Sequence, residues 1–154
     1  PREALAICDR VAVLKSGEIQ QYSTPFEMVS YPSNDFVGQF VLQRNILPIH
    51  RINDSYSTLI NKLNFSIETS ISSESVCLFD KSSIRLQPSE NGSFTVISKE
   101  YCINYYVYTV ISEGIKLRSE MSLDTPLSIG NKCTVETIKG EDFLILPEMI
   151  KSNF

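Results

Sequence analysis

The feature that most constrains the fold is a series of short strand-like segments that begins near Leu42 and continues through the rest of the chain. Helical periodicity stops there. Apolar, β-branched and aromatic runs then follow one another between turns rich in Gly, Asn and Asp. This pattern predicts an antiparallel β-sandwich or a small β-barrel. The predicted strands include "SVCLFD", "SSIRLQP", "FTVIS", "CINYYVYTVI", "IKLRSEM", "CTVETI" and "FLILP".

Turn chemistry and side-chain alternation make two of these predictions specific. Asn91-Gly92 lies between "SSIRLQP" and "FTVIS". Because Asn-Gly is the strongest short hairpin signal, it predicts that these two strands pair as a hairpin. In "IKLRSEM", Ile115, Leu117 and Met121 fall on one face and charged residues on the other, which predicts a half-buried strand.

Residues 1–41 have a different sequence pattern, in which helix and strand signals alternate. "PREALAIC" predicts the last turns of an amphipathic helix, with Leu5 and Cys8 on one face. The segment 11–15 is apolar on both faces and predicts a central strand. "EIQQY" predicts a second strand, and Gly17 between the two is free to adopt a positive φ.

A helix start signal follows these strands. Thr24-Pro25-x-Glu27 is a capping box, in which the Thr hydroxyl and the Glu carboxylate each accept a hydrogen bond from the other residue's amide. Pro32 predicts that this helix ends near Tyr31. Ser33 or Asn34 then caps another short helix, whose predicted apolar stripe is Phe36, Val37, Phe40 and Val41.

Composition limits the classes of function. The chain of 154 residues has a net charge of -4, which argues against a general nucleic-acid binder, since such proteins need a surplus of Lys and Arg. No run approaches the roughly 18–20 apolar residues that span a bilayer, and we recognise no signal-peptide pattern. The cysteines lack C-x-x-C spacing and have apolar neighbours, so we expect four reduced, buried thiols in a cytosolic protein, with two disulfides in a secreted domain as the alternative. They are Cys8, Cys77, Cys102 and Cys133.

Side chains that carry chemistry are few. The sequence has no glycine-rich phosphate loop of the form G-x-x-x-x-G-K-(S/T), so we expect neither ATP binding nor hydrolysis by these residues. His50 is the only histidine and is interpreted as a surface or strand-end residue. Glu18 and the pair Glu141-Asp142 are interpreted as solvated turn residues. We therefore predict no catalytic, cofactor-binding or metal-binding residues.

The tyrosines of "CINYYVYTVI" and its flank suggest an aromatic platform of the kind that stacks bases in OB folds. Read as a single strand, alternation places Tyr106 and Tyr108 on one face and Tyr101 and Tyr105 on the other. We interpret the four as barrel core plus a covered outer face. A dimer contact is the first alternative and nucleic-acid stacking the second.

Residues 3–41 resemble the segment that follows the switch histidine in the ATPase subunits of bacterial ABC importers. The resemblance covers about 40 residues at the family's spacings. Two departures are Ser23 for the usual Gly and Gly38 for the usual Ala. The matching residues are Asp9, Arg10, Gly17, Gln21, Thr24, Pro25, Glu27, Pro32, Phe36, Val37 and Phe40.

The remainder is similar to the transport-associated OB (TOBE-type) regulatory domain of the maltose, sulfate, iron and polyamine importers. "CLFDKSSIRLQP" is similar to that domain's strand pair, although the family's Arg-Pro-Glu-Asp is replaced by Phe79-Asp80-Lys81-Ser82. The segment 126–147 resembles its closing strands. The resemblance implies a mainly β fold: residues 1–41 as the tail of an ABC ATPase domain, and residues 42–154 as an OB-like regulatory domain.

The resemblance implies a non-catalytic regulatory and dimerisation portion of an ATP-binding subunit, starting just past the switch histidine. ATP and Mg would belong to the longer parent, an ABC-type ATPase. Its partners would be a second copy and, through the ATPase domain, the transmembrane permease subunits, at the cytoplasmic side of the plasma membrane. "N-x-L-P" at Asn45 to Pro48 favours ferric iron, with polyamine and sulfate as alternatives. The alternative class of function is a free-standing OB-fold protein that binds oligonucleotides or a small anion.

Overall fold

The computed structural model describes residues 1–52, 55–58, 75–137 and 144–147. The described helices are α1 (Arg2–Ile7), α2 (Pro25–Ser30), a π-helix (Val37–Val41) and a 3-10 helix (Lys81–Ser83). The strands are β1 (Val11–Lys15), β2 (Glu18–Ser23), β3 (Asn45–Ile52), β4 (Ser55–Thr58), β5 (Ser75–Phe79), β6 (Ile84–Pro88), β7 (Phe94–Tyr101), β8 (Tyr106–Ser112), β9 (Ile115–Met121), β10 (Lys132–Thr137) and β11 (Leu144–Pro147).

The first part of the chain, residues 1–42, forms what we call the N-terminal unit. Strands β1 and β2 pair antiparallel, and Ser16 and Gly17 both have positive φ in the turn, as predicted for the glycine. The prediction that β1 is a central strand is wrong for the described residues, where it pairs with β2 alone. Leu14 is 57% exposed, so one face of β1 is apolar without being buried.

The helix after α2 is widened into a π-turn. The Asn34 side chain caps it, since the Val37 amide donates to Asn34 Oδ1 at 3.0 Å. The Leu42 amide then reaches back to the Val37 carbonyl at 3.2 Å, the spacing of a π-helix. The predicted apolar stripe is divided as a result: Val37 and Val41 are buried, whereas Phe40 is 61% exposed.

The rest of the described chain, from Asn45 onward, forms what we call the β unit. It contains two antiparallel sheets, with strand orders β6-β10-β7-β8-β9 and β11-β5-β3-β4. The prediction of a mainly β, antiparallel fold is confirmed, and the arrangement is consistent with an OB-like sandwich. Both sheets contribute to one core, whose large, fully buried side chains include Tyr108, Phe79, Leu47, Ile84, Leu86 and Leu117.

The five-stranded sheet curls until its two edge strands, β6 and β9, approach each other. Side chains bridge them, without a backbone ladder between the two strands in the described residues. The Ser119 hydroxyl donates to the Ile84 carbonyl at 2.9 Å, and the Leu86 amide donates to the Met121 sulfur at 3.5 Å. The sheet therefore comes close to a barrel without closing into one.

The Asn91-Gly92 hairpin prediction is wrong, because β10 lies between β6 and β7. The glycine is needed for close approach, since a Cβ at Gly92 would come within 2.2 Å of the Cys133 carbonyl oxygen on β10. Its amide donates to the Ser89 carbonyl, while the Ser89 amide donates to the Lys132 carbonyl. Residues 89–93 thus form a turn that leaves room for β10 between β6 and β7, although β10 comes later in the sequence than both.

The expectation of one long strand in "CINYYVYTVI" is also wrong. β7 extends to Tyr101, a tight turn occupies residues 102–105, and β8 begins at Tyr106. The Cys102 amide donates to the Tyr105 carbonyl at 2.9 Å, and Ile103 adopts a positive φ of 61°. The sequence lacks a glycine at this turn, which is why the reversal was not recognised.

Burial separates the four cysteines into two groups. No disulfide joins them, as expected, but Cys8 is exposed and Cys102 half-buried, so the expectation of four buried thiols is wrong. Cys8 follows α1, where the chain leaves the helix at the surface. Cys77 and Cys133 lie in the core, where burial raises the pKa of Cys77 to about 12 and of Cys133 to about 11, from 9.0.

Substitution of Gly92 by Ala is expected to destabilise the chain by about 1–3 kcal/mol, because the added methyl group must displace the backbone of β10. Denaturant unfolding followed by far-ultraviolet circular dichroism measures the change. Ser93→Ala at the neighbouring exposed position is the control and should stay within about 0.5 kcal/mol. Equal stability of the two variants would contradict the close approach.

The thiols are expected to react in two classes. At pH 8 a maleimide should label Cys8 at once and Cys102 more slowly, whereas Cys77 and Cys133 should react only after unfolding. Their raised pKa values favour the protonated folded state, so folding stability should fall as the pH rises from 9 towards 12. Mass spectrometry of labelled peptides checks the first statement and unfolding at several pH values the second.

Candidate interaction surface

The N-terminal unit exposes large apolar side chains that its own small core does not cover. That core consists of Val13, Met28, Val37 and Val41. Scattered exposed apolar residues are ordinary, but a concentration of them on a short segment marks an interaction surface. We call the following residues the exposed apolar set; each is between 57% and 82% exposed: Ile7, Leu14, Ile19, Phe26, Tyr31 and Phe40.

The β1–β2 hairpin places two members of the set together. Leu14 and Ile19 are opposite each other in the register, so their side chains lie on the same face of the hairpin. Val13, which precedes Leu14, points to the other face and is buried. The hairpin therefore has an inner apolar face that packs in the unit and an outer apolar face that is open.

Helix α2 presents Phe26 because its first turn is fixed by the predicted capping box. The Glu27 amide donates to Thr24 Oγ1 at 3.3 Å, and the Thr24 amide donates to Glu27 Oε2 at 2.9 Å. The Thr24 amide, together with the Thr24 hydroxyl that donates to the same oxygen at 2.9 Å, holds the pKa of Glu27 below its ordinary value of 4.5. Met28, two residues beyond Phe26, faces inward and is fully buried.

The segment after α2 is fastened to the outer edge of β2 by side chains. The Ser33 amide donates to Gln21 Oε1 at 2.8 Å, and Gln21 Nε2 donates to the Tyr31 carbonyl at 3.2 Å. The Ser33 hydroxyl donates to the Gln20 carbonyl at 2.9 Å. The segment is therefore held against β2, and the Tyr31 side chain is 73% exposed.

Two basic side chains of the N-terminal unit lie over aromatic rings. The Arg10 guanidinium lies 4.6 Å from the centre of the Tyr22 ring, and Lys15 Nζ lies 4.8 Å from that of Phe36. Asp35 is buried nearby; burial raises its pKa, although the Phe36 amide and Lys15 act in the opposite direction. Two cations of the N-terminal unit are thus already engaged with aromatic rings of the unit itself.

The residues considered for chemistry in the sequence do not form a site in the described structure. His50 lies in β3 opposite Ser57, and its side chain is outside the described part. Glu18 is exposed at the start of β2, and Glu141-Asp142 lies outside the described residues. Among the described residues, no three His, Cys, Asp or Glu side chains are grouped as a metal site would require.

The tyrosine platform has a different arrangement from the one expected. Because Tyr101 is on β7 opposite Tyr106 on β8, the two lie on one face, and their ring centres are 5.7 Å apart. Tyr108 is fully buried and its hydroxyl donates to the Leu127 carbonyl at 3.2 Å. Lys99 Nζ lies 4.3 Å from the centre of the Tyr106 ring. The interpretation of Tyr108 as core fits this burial.

Asn45 and Arg118 were not recognised in the sequence as partners. Asn45 is only 4% exposed, and its side chain both donates to the Arg118 carbonyl and accepts from the Arg118 amide, each at 2.7 Å. The only sequence signal was a polar residue at the start of an apolar strand. Nothing in the sequence indicates a partner 73 positions away.

Within the described ranges, no helix combines the length and the apolar character that crossing a membrane requires. The class indicated by the fold is therefore a mainly β unit of OB-like sandwich type, attached to a small α/β unit with an uncovered apolar surface.

No protein-family model matches the chain. Over short stretches it is similar to ATP-binding subunits of ABC importers. It is 42% identical over 60 residues to the spermidine/putrescine import ATP-binding protein PotA of Mycoplasmopsis synoviae, covering 39% of this chain and 13% of that protein. It is 44% identical over 46 residues to the Fe(3+) ions import ATP-binding protein FbpC of Rhizobium etli, covering 30% and 13%.

A third relative is the sulfate/thiosulfate import ATP-binding protein CysA 2 of Chromobacterium violaceum, 47% identical over 49 residues, which are 32% of this chain and 13% of that protein. The matched stretches thus span about an eighth of the length of these relatives. Over these stretches the chain is similar to ATP-binding subunits of ABC importers as a group. The names of the three relatives specify three different cargoes.

Two substitutions on α2 are expected to differ in their effect on stability, because one side chain is exposed and the other lies in the core. Phe26→Ala should change the free energy of unfolding by less than about 0.5 kcal/mol, because the ring is 76% exposed. Met28→Ala should cost about 2–5 kcal/mol, because it leaves a cavity in the small core. Urea unfolding of both variants tests this. A large loss for Phe26→Ala would mean that its ring is covered within the chain itself.

Proposed function

We propose that this chain is a portion of an ABC importer ATP-binding subunit in which the N-terminal unit docks on an ATP-hydrolysing body and the β unit is a TOBE-type regulatory module. The observation that carries the proposal is the exposed apolar set, on the same N-terminal unit whose sequence resembles the importer ATPases. Covering it removes apolar area from water, at about 25 cal/mol per Å².

In this proposal the chain itself is not catalytic. Its sequence lacks the phosphate loop that would cradle the β- and γ-phosphates, and hydrolysis belongs to the body on which the exposed apolar set rests. ATP and Mg are cofactors of the longer parent. The permease subunits are reached through that body, at the cytoplasmic face of the membrane.

The β unit would act on the pairing of two subunits. Regulatory modules that associate around a twofold axis can hold two ATPase bodies together while the nucleotide sites open and close. Such a module changes the balance between open and closed states only as far as it binds them with different affinity. We therefore propose a second copy of the subunit as the partner of the β unit.

For the cargo we propose ferric iron, supported by the resemblance of "N-x-L-P" at Asn45 to Pro48 to iron importers. Polyamine and sulfate are the alternatives, each represented among the similar proteins. Uptake of radiolabelled iron, spermidine and sulfate by cells with and without the gene distinguishes the three. Loss of spermidine or sulfate uptake alone would overturn the iron proposal.

Docking is tested by mixing the chain with the ATP-binding body of the Mycoplasmopsis synoviae relative, truncated before its matching stretch, and measuring complex formation by sedimentation velocity. The intact chain is expected to bind, because the exposed apolar set meets a related surface. The double substitution Phe26→Ser and Tyr31→Ser should abolish binding. Ile129→Ser on the β unit, at a residue of 66% exposure, is the matched control and should bind normally.

Calorimetric titration of the chain with MgATP tests the absence of catalysis. We expect no binding heat, since no phosphate loop is present. Tight ATP binding by this chain alone, or equal binding of the body by the Ser double variant and the Ile129 control, would overturn the proposal.

A further inference from the structure

The chain passes between its two units at residues 43–44, a short connection without glycine. Such a connection is where a hinge is expected if the units move independently. The contacts around it point to the opposite behaviour. They come from both units and from three separate parts of the sequence, and they fix the connection at its backbone, its side chains and its flanking helix.

The backbone of the connection is held in a conformation that its residue does not favour. Gln43 has a φ of +51°, in the left-handed region where glycine is usual. The next amide, that of Arg44, donates to the Gly38 carbonyl of the π-helix at 3.1 Å. The chain therefore turns sharply back on the helix that it has just left.

The side chain of Gln43 is bound by the β unit. Arg118 Nη1 on β9 donates to Gln43 Oε1 at 3.2 Å, while Arg118 Nη2 contacts Glu100 on β7 at 3.3 Å. The Arg118 backbone is in turn held by Asn45, through the two hydrogen bonds of 2.7 Å. The backbone from which the Arg118 side chain extends is thus fixed beside the connection.

The flanking helix also packs directly on the β unit. A Cβ built at Gly38 would lie 2.5 Å from Leu78 Cδ1 on β5, so the helix backbone lies against this fully buried side chain. The positive charge of Arg44 acts on Asp80, the residue that follows β5. Burial raises the pKa of Asp80, but hydrogen bonds from Ser82 and the positive charges of Lys81 and Arg44 bring that pKa below its ordinary value of 3.8.

We propose that residues 38–45 form a locked joint, in which Arg118 holds Gln43 in its left-handed conformation and Leu78 seats the π-helix. The N-terminal unit and the β unit then move as one body. The inference does not depend on the proposed function. If the N-terminal unit docks on an ATP-hydrolysing body as proposed above, a rotation of that body turns the β unit through the same angle.

The locked joint is tested by measuring distances between spin labels on the two units with double electron–electron resonance. One label is placed at Phe26→Cys on α2 and the other at Glu90→Cys on the β unit, with Cys8→Ser and Cys102→Ser removing the accessible native thiols. The buried thiols of Cys77 and Cys133 should not react. We expect a single narrow distance distribution, and a broad one would overturn the proposal.

Arg118→Ala and Gln43→Gly should each broaden that distribution, although glycine relieves the backbone at position 43. Gln43→Glu should keep it narrow, because its carboxylate still accepts from Arg118. Arg85→Ala, at an exposed arginine on β6, is the control and should also keep it narrow. An unchanged distribution in both Arg118→Ala and Gln43→Gly would overturn the proposal.

Amide hydrogen exchange gives a second measurement. In Arg118→Ala the Arg44 amide should exchange about tenfold faster, as expected for the loss of one charge-assisted hydrogen bond at the connection. The Val110 amide in the core of the β unit should be unchanged, which shows that the variant is folded. If the Val110 amide also exchanges faster in Arg118→Ala, the Arg44 amide exchange is measured in Gln43→Gly instead. That substitution lies outside the β sheets. Unchanged exchange at Arg44 in that variant would overturn the locked joint.

Discussion

The arrangement of the β unit depends on the side chain of Asn45, which behaves towards β9 as a strand backbone would. Its amide group satisfies both the N–H and the C=O of Arg118 at 2.7 Å, and so connects the four-stranded sheet to the edge of the five-stranded one. A buried amide is costly unless its hydrogen bonds are made. Here each bond is short, and each satisfies a backbone group that β9 would otherwise leave without a partner at its outer edge.

Local rules predicted much of the local structure. The capping box at Thr24, the positive φ of Gly17 and the alternating face of β9 all depend on residues within a few positions of one another, and all three are confirmed. The errors arose where distant segments compete. Asn91-Gly92 favours a hairpin by its own chemistry, but β10, about 40 positions later, takes the place beside β6. The exposure of Leu14 and Phe26 was likewise invisible to hydropathy, which expects apolar residues to be inside.

The candidate surface could be predicted only in outline. Resemblance to importer ATPases indicated that residues 1–41 rest on something, but which side chains face outward depends on the register of β1 with β2 and on the π-turn that separates Val37 from Phe40. The contacts of Gln43 and Arg118 were beyond sequence reasoning, because a surface arginine has many acceptors within reach. Gly38, noted as a departure from the family's usual Ala, has a physical reason here in the proximity of Leu78.

The position of β10 has a consequence for how the chain folds. β6 and β7 are close in sequence and tend to meet first, yet the native sheet requires them to stay apart until a strand made much later arrives between them. Pairings of this kind close long loops before they gain contacts, and chains rich in them fold slowly. Gly92 makes this pairing possible, since a Cβ at this position would lie 2.2 Å from the Cys133 carbonyl oxygen of β10. The residue whose own chemistry favours rapid local pairing thus permits a pairing that closes a much longer loop.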